Sequence, residues 1–348
     1  MVNVGIIGCG KIAQVRHLPE YADNPSARII GVYDINRARA EEIGEKYHTR
    51  VYESYEEMLE NSEIDAVSIC TANFSHCEIA VRAMEAGKHV LCEKPMAVTY
   101  EDCRRMVDTA RKTGRFLMVG HNQRLTKTHK KARDLIAHGE IGRVITFKSS
   151  FAHSGPENWT VDRKNVWFFD KKAAAFGAMA DLGIHKTDLI QFLTGKNILE
   201  AFALTGTLDK KDQDGNAIGV DDNAICIYKL ESGILGTVTV SWSNYGAEDN
   251  STILYGTEGC MKIYCDPEYS IVVEKKDGQR VLYDIDRIQT NDNQSKSGVI
   301  DSWISCLEKG NPPEISGEDA FNAMKAVFAA LQSAQTGRMV TVKELENQ

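Results

Sequence analysis

The 348-residue chain lacks any apolar run near the roughly 20 residues that a membrane span needs. Its first residues enter a predicted strand, with no basic segment or apolar leader before it. Only 7 prolines are present, which argues against long disordered segments. A basic excess is also missing, since the net charge of -8 weighs against nonspecific binding to nucleic acid or anionic membranes. We therefore expect a cytoplasmic protein that binds a small molecule, with no nucleic-acid or membrane partner.

Cysteines are not scarce, but they lack the spacing of a zinc or disulfide framework. Their number, 9, is odd, and no two of them stand in a C-x-x-C pair. Several lie in apolar runs such as Ser68-Ile69-Cys70. We expect reduced thiols in the core and no metal site.

The length of the chain predicts two domains with a cleft between them. Residues 1–123 alternate short β-branched runs with segments of helical period, which predicts a Rossmann-type α/β domain with a parallel sheet. Hydroxyl residues three positions before an acid predict helix N-caps at Ser54, Ser75 and Thr99. The predicted strands are Val2–Ile7, Ala27–Tyr33, Ala66–Ile69, His89–Leu91 and Phe116–Val119.

Residues 124–348 have a different pattern, with helices first and last and mostly strands from Asn197 to Tyr283. This order predicts an α+β domain with a large, mostly antiparallel sheet, which we expect to bind the substrate. The polar stretch Asp284–Ser297 predicts a mobile loop. Apolar residues at alternating positions in "GILGTVTVSW" predict a sheet face without helices, and an uncovered face of that size is typical of a subunit interface. The predicted helices are Lys127–His138, Asp181–Leu193 and Asp319–Gln335.

The first strand ends in Gly8-Cys9-Gly10-Lys11-Ile12-Ala13, which fits the dinucleotide-binding pattern G-x-G-x-x-A. In this pattern Gly8 permits the tight turn, Gly10 the close approach of a pyrophosphate, and Ala13 the packing of helix on strand. Asp34 ends the second strand, where the pattern has an acid that accepts hydrogen bonds from the ribose hydroxyls. A strand-turn-helix without a ligand is the alternative interpretation.

Asp34 favours NAD, because a carboxylate at this place repels the 2′-phosphate of NADP. Arg37 and Arg39 follow closely enough to leave NADP open, although we expect Arg39 to lie on a solvated helix face. The residues predicted to contact the cofactor here are Gly8, Gly10, Lys11, Ile12, Ala13, Asp34 and Arg37.

Two further motifs carry groups suited to chemistry. "VLCEKPMAV" brings Glu93 and Lys94 to the carboxyl end of a predicted parallel strand, where ligands bind in α/β sheets. "ADLGIHKTDLI" places Asp181 and His185 four residues apart, on one face of a predicted helix. His185 is the histidine we select as a general base. Asp181 either positions a substrate hydroxyl or caps the helix, and the pair lacks the third ligand of a metal site.

Together these motifs resemble the Gfo/Idh/MocA oxidoreductases, named for glucose–fructose oxidoreductase and inositol dehydrogenase, over nearly the whole chain. The resemblance implies that Lys94 and His185 are catalytic and that Asp181 binds substrate hydroxyls. It places Glu93, Lys94 and the residues near Thr71 on the nicotinamide side of the cofactor, often with a cis peptide before Pro95. It also implies a homodimer or homotetramer.

Other candidates have two interpretations each. Asn73 and His76 either face the cofactor or are a cap neighbour and a solvated imidazole. Asn122 and Arg124, in "GHNQRL", lie where relatives have an Asn/Arg-containing stretch, and we consider them as substrate ligands. Trp167 either stacks on a sugar ring or belongs to the core.

The activity that we expect is an NAD(P)-dependent oxidoreductase acting on CH–OH donors, with a secondary alcohol of a sugar, polyol or cyclitol as substrate. In this reaction His185 is the general base and Lys94 stabilises the alkoxide. An NAD-dependent glycoside hydrolase of the same family is one alternative, and a non-enzymatic dinucleotide-binding regulator is another. The retention of Lys94, Asp181 and His185 together argues against the regulator.

Overall fold

A computed structural model describes residues 1–161, 166–288 and 296–346. The middle of the predicted loop Asp284–Ser297 lies outside the described residues. No helix in the described ranges is long and apolar enough to cross a membrane. All 9 cysteines lie in the described part without a disulfide, and all except Cys260 and Cys265 are buried, as the apolar runs around them predict.

The first sheet consists of six parallel strands in the described chain, in the order β3-β2-β1-β4-β5-β6. Consecutive strands β3 and β4 lie on opposite sides of β1, so the strand order reverses between β1 and β4. The carboxyl ends at such a reversal form the crevice where ligands bind in open α/β sheets. The bounds are β1 Val2–Ile7, β2 Ala27–Tyr33, β3 Arg50–Val51, β4 Ala66–Ile69, β5 His89–Cys92 and β6 Leu117–Val119.

Helices cover both faces of this sheet, and two of the three predicted caps are confirmed. The hydroxyls of Ser54 and Thr99 accept hydrogen bonds from the third residue of the helix that follows. The prediction for Ser75 is wrong, because a 3₁₀ turn, Asn73–Ser75, precedes the helix and the Ser75 hydroxyl donates back to Thr71 Oγ1 and Ala72 O. The helices are α1 Leu18–Asp23, α2 Arg37–Tyr47, α3 Tyr55–Glu60, α4 His76–Glu85 and α5 Tyr100–Thr113.

The second sheet has nine strands in the described residues, in the order β14-β13-β12-β11-β7-β10-β9-β8-β15. Only the β7–β10 pair within it is parallel, which confirms the prediction of a mostly antiparallel sheet. The bounds are β7 Val144–Ala152, β8 Ile198–Gly206, β9 Asn223–Leu230, β10 Leu235–Ser241, β11 Thr252–Gly256, β12 Gly259–Ile263, β13 Ile271–Lys275, β14 Arg280–Tyr283 and β15 Val340–Thr341.

One face of the second sheet is covered by α8 and α10, and α8 is buried on all sides from Ile184 to Leu193. The opposite face exposes apolar side chains, among them Leu204, Ile225, Ile227 and Leu235. This contrast follows from the alternation along β9, where every second residue is buried. The helices are α6 Lys127–Ala137, α7 Lys171–Ala174, α8 Ile184–Thr194, α9 Val299–Lys309, α10 Gly317–Thr336 and α11 Val342–Leu345.

The division of the chain at residue 123 remains a prediction. Beyond that prediction, the structure shows that a late part of the chain, α9, packs back on the first domain. Helix α9 packs against α1 and β1. Val299, Ile300, Trp303 and Ile304 are buried in the same apolar cluster as three residues of β1, which are Val2, Val4 and Ile6. The residues that complete this core therefore come from the far end of the chain.

Candidate active site

A cavity of about 580 Å³ lies at the carboxyl ends of the first sheet and extends between the two domains. It is lined from one side by the glycine turn after β1 and the ends of β2, β4 and β5. From the other side it is lined by the end of β7, by residues of the segments 156–161 and 167–176, and by the start of α8. We call this cavity the cleft.

The glycine turn has the geometry that the sequence pattern predicts. Gly8 has φ +93°, and a Cβ atom there would lie 2.8 Å from the backbone of Cys70 in the neighbouring strand end. Gly10, Lys11 and Ile12 line the cleft. Ala13 is fully buried behind the turn, so its predicted contact with the cofactor is wrong, and its small side chain serves the packing behind the turn. The chain continues as a π-helical turn, Ala13–His17, and then as α1. A side chain at Gly8 would therefore collide with the strand that forms the wall of the crevice.

Asp34 lines the cleft and also holds the glycine turn. Its carboxylate accepts hydrogen bonds from Cys9 N and Asn36 N, both at 2.7 Å. Arg39 lies beside it, 3.5 Å from Asp34 Oδ1, and lines the cleft. The prediction of a solvated Arg39 is therefore wrong. Arg37, predicted to contact the cofactor, points away and pairs with Glu41 and Glu53 outside the cleft, which corrects that prediction.

Glu93 is buried, and its carboxylate is held by the helical turn that follows the glycines. Arg16 Nη1 lies 3.3 Å and His17 Nε2 2.9 Å from Glu93 Oε1. Burial by itself raises the pKa of Glu93, but the hydrogen bond with His17 and the charges of Arg16, His17 and Lys94 lower it to about 2. Glu93 is thus ionised at neutral pH, and it connects the end of β5 to the turn Ala13–His17 that follows the glycines.

Lys94 and Asp181 meet across the cleft, one from each domain. Lys94 Nζ donates to Asp181 Oδ1 at 2.6 Å and to Asp181 O at 3.2 Å. The second carboxylate oxygen accepts a 3.2 Å hydrogen bond from Trp242 Nε1. The Lys94–Pro95 peptide is cis, in line with the expectation from the resemblance. Asp181 lies in a π-helical turn, Met179–Gly183, just before α8, so it does not cap that helix.

His185 lines the same cleft from the first turn of α8. Its ring is almost fully buried, and Nδ1 has no hydrogen-bond partner among the described residues. Burial, followed by the positive charge of Lys94, lowers the pKa of His185 well below its ordinary value. A histidine in this state is neutral at physiological pH and is able to accept a proton.

The residues predicted from the loop after β4 divide into two groups. Thr71 and Asn73 line the cleft, and Asn73 Nδ2 also donates to Ala174 O in α7. His76 does not reach the cleft, because it is fully buried with Nδ1 2.9 Å from Pro95 O and Nε2 3.1 Å from Thr71 O. The prediction of a cofactor contact by His76 is wrong, and its ring instead joins two turns at the floor of the cleft.

The predicted substrate ligands divide in a similar way. Asn122 and Trp167 line the cleft, and Asn122 Oδ1 is buried without a hydrogen-bond partner among the described residues. Arg124 does not line it: its guanidinium makes two hydrogen bonds, 2.7 and 2.6 Å, to the buried carboxylate of Asp188 in α8. The predicted substrate role of Arg124 is therefore wrong, and its role is structural. It binds Asp188, which lies about one turn of α8 after His185.

Several residues of the cleft were missed from the sequence. His153, at the end of β7, lines the cleft, and its Nδ1 accepts a hydrogen bond from Gly155 N. Trp159 lies over Lys11, with Nζ 5.7 Å from the ring centroid. A single histidine or tryptophan after a strand gives no signal of its own. Arg16 and His17 are different, because two adjacent basic residues directly follow the glycine motif. That basic pair was a sequence signal for a nearby acid, which is Glu93.

Comparison with known proteins agrees with this architecture. Residues 2–121 match the model of an oxidoreductase family with an NAD-binding Rossmann fold, and residues 129–262 match the GFO/IDH/MocA C-terminal domain. The chain belongs to the Gfo/Idh/MocA oxidoreductase family. Its first domain is an NAD-binding Rossmann domain, which confirms the predicted fold class and cofactor type.

Curated members of the Gfo/Idh/MocA family align along the full chain. The D-glucoside 3-dehydrogenase of Escherichia coli K12 is 31% identical and is covered over 97% of both chains. The myo-inositol 2-dehydrogenase of Thermotoga maritima is 26% identical over 99% of both. An oxidoreductase from Agrobacterium radiobacter, solved with NAD+, L-tartaric acid and magnesium, has a TM-score of 0.86 at 22% identity and 99% coverage of both chains. That last likeness concerns the fold.

Proposed function

We propose that this protein is an NAD-dependent dehydrogenase that interconverts a secondary alcohol of a sugar, polyol or cyclitol and the corresponding ketone. The observation that carries the proposal is the meeting of Lys94 and Asp181 across the cleft, with His185 lining the same cavity. The names of the relatives, which include inositol and glucoside dehydrogenases, support the choice of substrate class.

The glycine turn fits a dinucleotide, because the backbone at Gly10 faces the cleft with only Cys70 O, at 4.0 Å, near the place of a Cβ atom, and the Asp34 carboxylate lines the same cleft. Gly10, Lys11 and Ile12 would hold the pyrophosphate, and Asp34 the ribose hydroxyls. Thr71 and Asn73 line the cleft after β4, and we assign them to the nicotinamide half. When bound, the nicotinamide supplies the acceptor or donor of the hydride.

The protein residues have three roles in this proposal. Neutral His185 takes the hydroxyl proton of the substrate during oxidation and returns it during reduction. The Lys94 ammonium stabilises negative charge that develops on the same oxygen. Asp181 fixes Lys94 through the 2.6 Å ion pair and accepts a hydrogen bond from a neighbouring hydroxyl of the substrate. Because Lys94 and Asp181 come from different domains, the pair forms only in the assembled cleft.

The test is NADH formation by the purified protein across sugars, inositols, sugar phosphates and sugar acids, with His185→Asn and Lys94→Met beside the wild type. We expect kcat to fall by roughly 10²- to 10⁴-fold in both variants, the range for lost acid–base or charge stabilisation. His138→Gln, at an exposed histidine, is the matched control and should keep wild-type kinetics. Full turnover in the His185 variant would refute the proposed base. Glycoside cleavage without net NADH formation would instead indicate the hydrolase.

NAD is the proposed cofactor, with NADP as the second possibility, because Arg39 lies beside Asp34 at the cleft wall. Its guanidinium is placed to meet a 2′-phosphate, while the Asp34 carboxylate repels one. Arg39→Ala should therefore reduce any residual activity with NADP, and Arg37→Ala should leave it unchanged. Equal effects of the two substitutions on the NADP specificity constant would refute this assignment.

We also propose that the protein is a cytoplasmic homodimer or homotetramer assembled through the open face of the second sheet. Leu204, Ile225 and Leu235 on that face are 62%, 55% and 49% exposed, an apolar exposure that association would remove. The cytoplasmic location is supported by the cysteines, which are all free thiols and mostly buried, as expected in a reducing compartment. Sedimentation of the wild type beside Ile225→Lys tests the interface, and an unchanged oligomer in that variant would refute it.

A further inference from the structure

His17 is a buried titratable residue that the proposed reaction does not use. It ends the π-helical turn Ala13–His17, which follows the glycine motif, and its side chain is fully buried. Its Nε2 lies 2.9 Å from Glu93 Oε1. An ionised carboxylate only accepts hydrogen bonds, so Nε2 carries the hydrogen and His17 donates this bond. The buried imidazole therefore holds an acid that lines the cleft.

The two oxygens of the Glu93 carboxylate face different segments of the chain. Oε1 meets the turn, through His17 Nε2 and through Arg16 Nη1 at 3.3 Å. Oε2 accepts a 3.1 Å hydrogen bond from Lys94 N. Gly120 borders both oxygens, since a Cβ atom there would lie 3.1 Å from Oε1 and 3.2 Å from Oε2. The carboxylate is thus confined between the turn, Lys94 and Gly120.

The bond from Lys94 N begins where the ladder of β5 ends. Glu93 N still donates to Ile69 O of β4, at 3.0 Å. The next donor, Lys94 N, binds the Glu93 side chain instead, and Pro95 after it has no N–H to donate. The carboxylate therefore anchors the backbone of Lys94, the residue whose Nζ donates to Asp181 Oδ1 at 2.6 Å.

A buried group of charges such as this one is poorly explained as a stabilising device. The removal of ions from water offsets most of their attraction, and well-packed apolar side chains often stabilise a core equally well. The specific result of the contacts of Glu93 is instead a fixed geometry at Lys94.

We propose that His17 is a positioning residue for Lys94, which it holds in place through the Glu93 carboxylate. The turn Ala13–His17 directly continues the residues proposed to hold the pyrophosphate. One segment of the chain therefore both receives the cofactor and aims the cation that the reaction needs. The position of Lys94 is a property of the cleft itself, and its consequence for hydride transfer rests on the dehydrogenase function proposed above.

The first measurement is the rate at which acetic anhydride acetylates Lys94, determined by mass spectrometry relative to the exposed Lys112 of the same molecules. His17→Leu should make Lys94 react about threefold faster, the effect of losing a partly exposed ion pair, because Lys94 then leaves Asp181. His17→Gln keeps an N–H donor for Glu93 and should restore the wild-type rate. Asp181→Asn, which removes the partner directly, is the positive control. An unchanged rate in His17→Leu would overturn the inference.

Gly120→Ala tests the same contact without removing a partner, and it decides the question if His17→Leu does not fold. Gly120 has no positive φ, and the added methyl group would press on the Glu93 carboxylate. Gly246→Ala is the matched control, because a Cβ atom there would lie 3.5 Å from Asn244 Oδ1, an ordinary contact. We expect faster acetylation of Lys94 in Gly120→Ala and not in Gly246→Ala. Equal rates in the two variants would contradict the proposed contact.

The second measurement separates positioning from folding and from the proposed function. With NAD and either myo-inositol or methyl β-D-glucopyranoside, kcat of His17→Leu should fall about 10- to 100-fold, the effect of a small displacement of a catalytic group. The Kd of NADH should change less than about threefold, since the glycine turn is intact, and His17→Gln should recover kcat. A parallel loss of NADH binding, or an unaltered kcat, would refute the positioning role. Faster acetylation of Lys94 in His17→Leu, without turnover of either probe by the wild type, would support that role and count against the dehydrogenase.

Discussion

Lowering the pH from 7 to 5.5 should destabilise the protein through its buried histidines. His76, His121, His129 and His185 are buried, and burial is the largest cause of the lowered pKa of each. For His129 the pKa falls to about 3. In the unfolded chain a histidine has a pKa near 6.5, so the unfolded state binds protons that the folded state refuses.

The sign and size of the effect follow from this difference. A histidine with a lowered pKa contributes stability above pH 6.5 and loses it as the pH falls from 6.5 towards the folded pKa. For His129 the loss of unfolding free energy between pH 7 and 5.5 is about 1.3 kcal/mol. The value is RT times the logarithm of (1 + 10^(pKa − pH)) at pH 5.5 divided by the same expression at pH 7, with the unfolded pKa near 6.5. The same bound holds for each of the other three, so together they account for at most about 5 kcal/mol. Glu93 adds nothing in this window, because its pKa is about 2 in the folded protein and it titrates below pH 5 when unfolded.

The assay is urea unfolding at pH 7 and at pH 5.5, from which the difference in the unfolding free energy is obtained. We expect the wild type to lose several kcal/mol. His129→Gln should lose about 1.3 kcal/mol less between the two pH values, whatever its stability at pH 7. His48→Asn is the control, since His48 is exposed and asparagine tolerates its φ of +51°. Stability that is unchanged or greater at pH 5.5 would refute the reasoning.

Three further substitutions test residues whose roles the structure defines. Arg124→Met leaves the Asp188 carboxylate buried without its partner and should lower the free energy of unfolding by about 3–5 kcal/mol. We expect a lower melting temperature with KM unchanged. A raised KM without destabilisation would restore the substrate role of Arg124. Gly8→Ala, at φ +93°, should weaken NAD binding measured by calorimetry, and wild-type affinity would contradict the crowded turn. Trp242→Phe removes the hydrogen bond to Asp181, worth about 1.5–3 kcal/mol, so kcat/KM should fall roughly 10- to 100-fold, and an unaltered value would refute that contact.

The sheets and the meeting of Lys94, Asp181 and His185 in one cleft could be predicted because their signals are local. The runs Val2–Ile7 and Ala27–Tyr33 are strands with the predicted bounds, since β-branched residues between turn signals specify buried parallel strands. Lys94 and His185 each stand in a short motif, one at a strand end and one at a helix start, and parallel topology brings strand ends to one edge. Their meeting with Asp181 in one cleft therefore followed from motif and fold together.

The orientation of individual side chains could not be predicted in the same way. Arg37 and Arg39 are two residues apart on α2 and so point about 200° apart, and only the packing of the helix decides which one faces the cleft. The partner of Arg124 lies 64 residues away in the chain, and nothing near either residue indicates the ion pair. Likewise His76 has no neighbour in sequence that reveals its contact with Pro95 O. Such contacts exist only after the elements pack.

The return of α9 to the first domain means that the nucleotide-binding half is not a portable module. A fragment ending at residue 123 would lack Val299, Ile300 and Trp303, which are fully buried against β1 and its neighbours, and it would present an open apolar groove to water. Domain exchange between relatives, in the laboratory or by recombination, must therefore carry this carboxyl-terminal segment together with the first third of the gene. The core of the first domain is thus completed by chain that follows the second sheet.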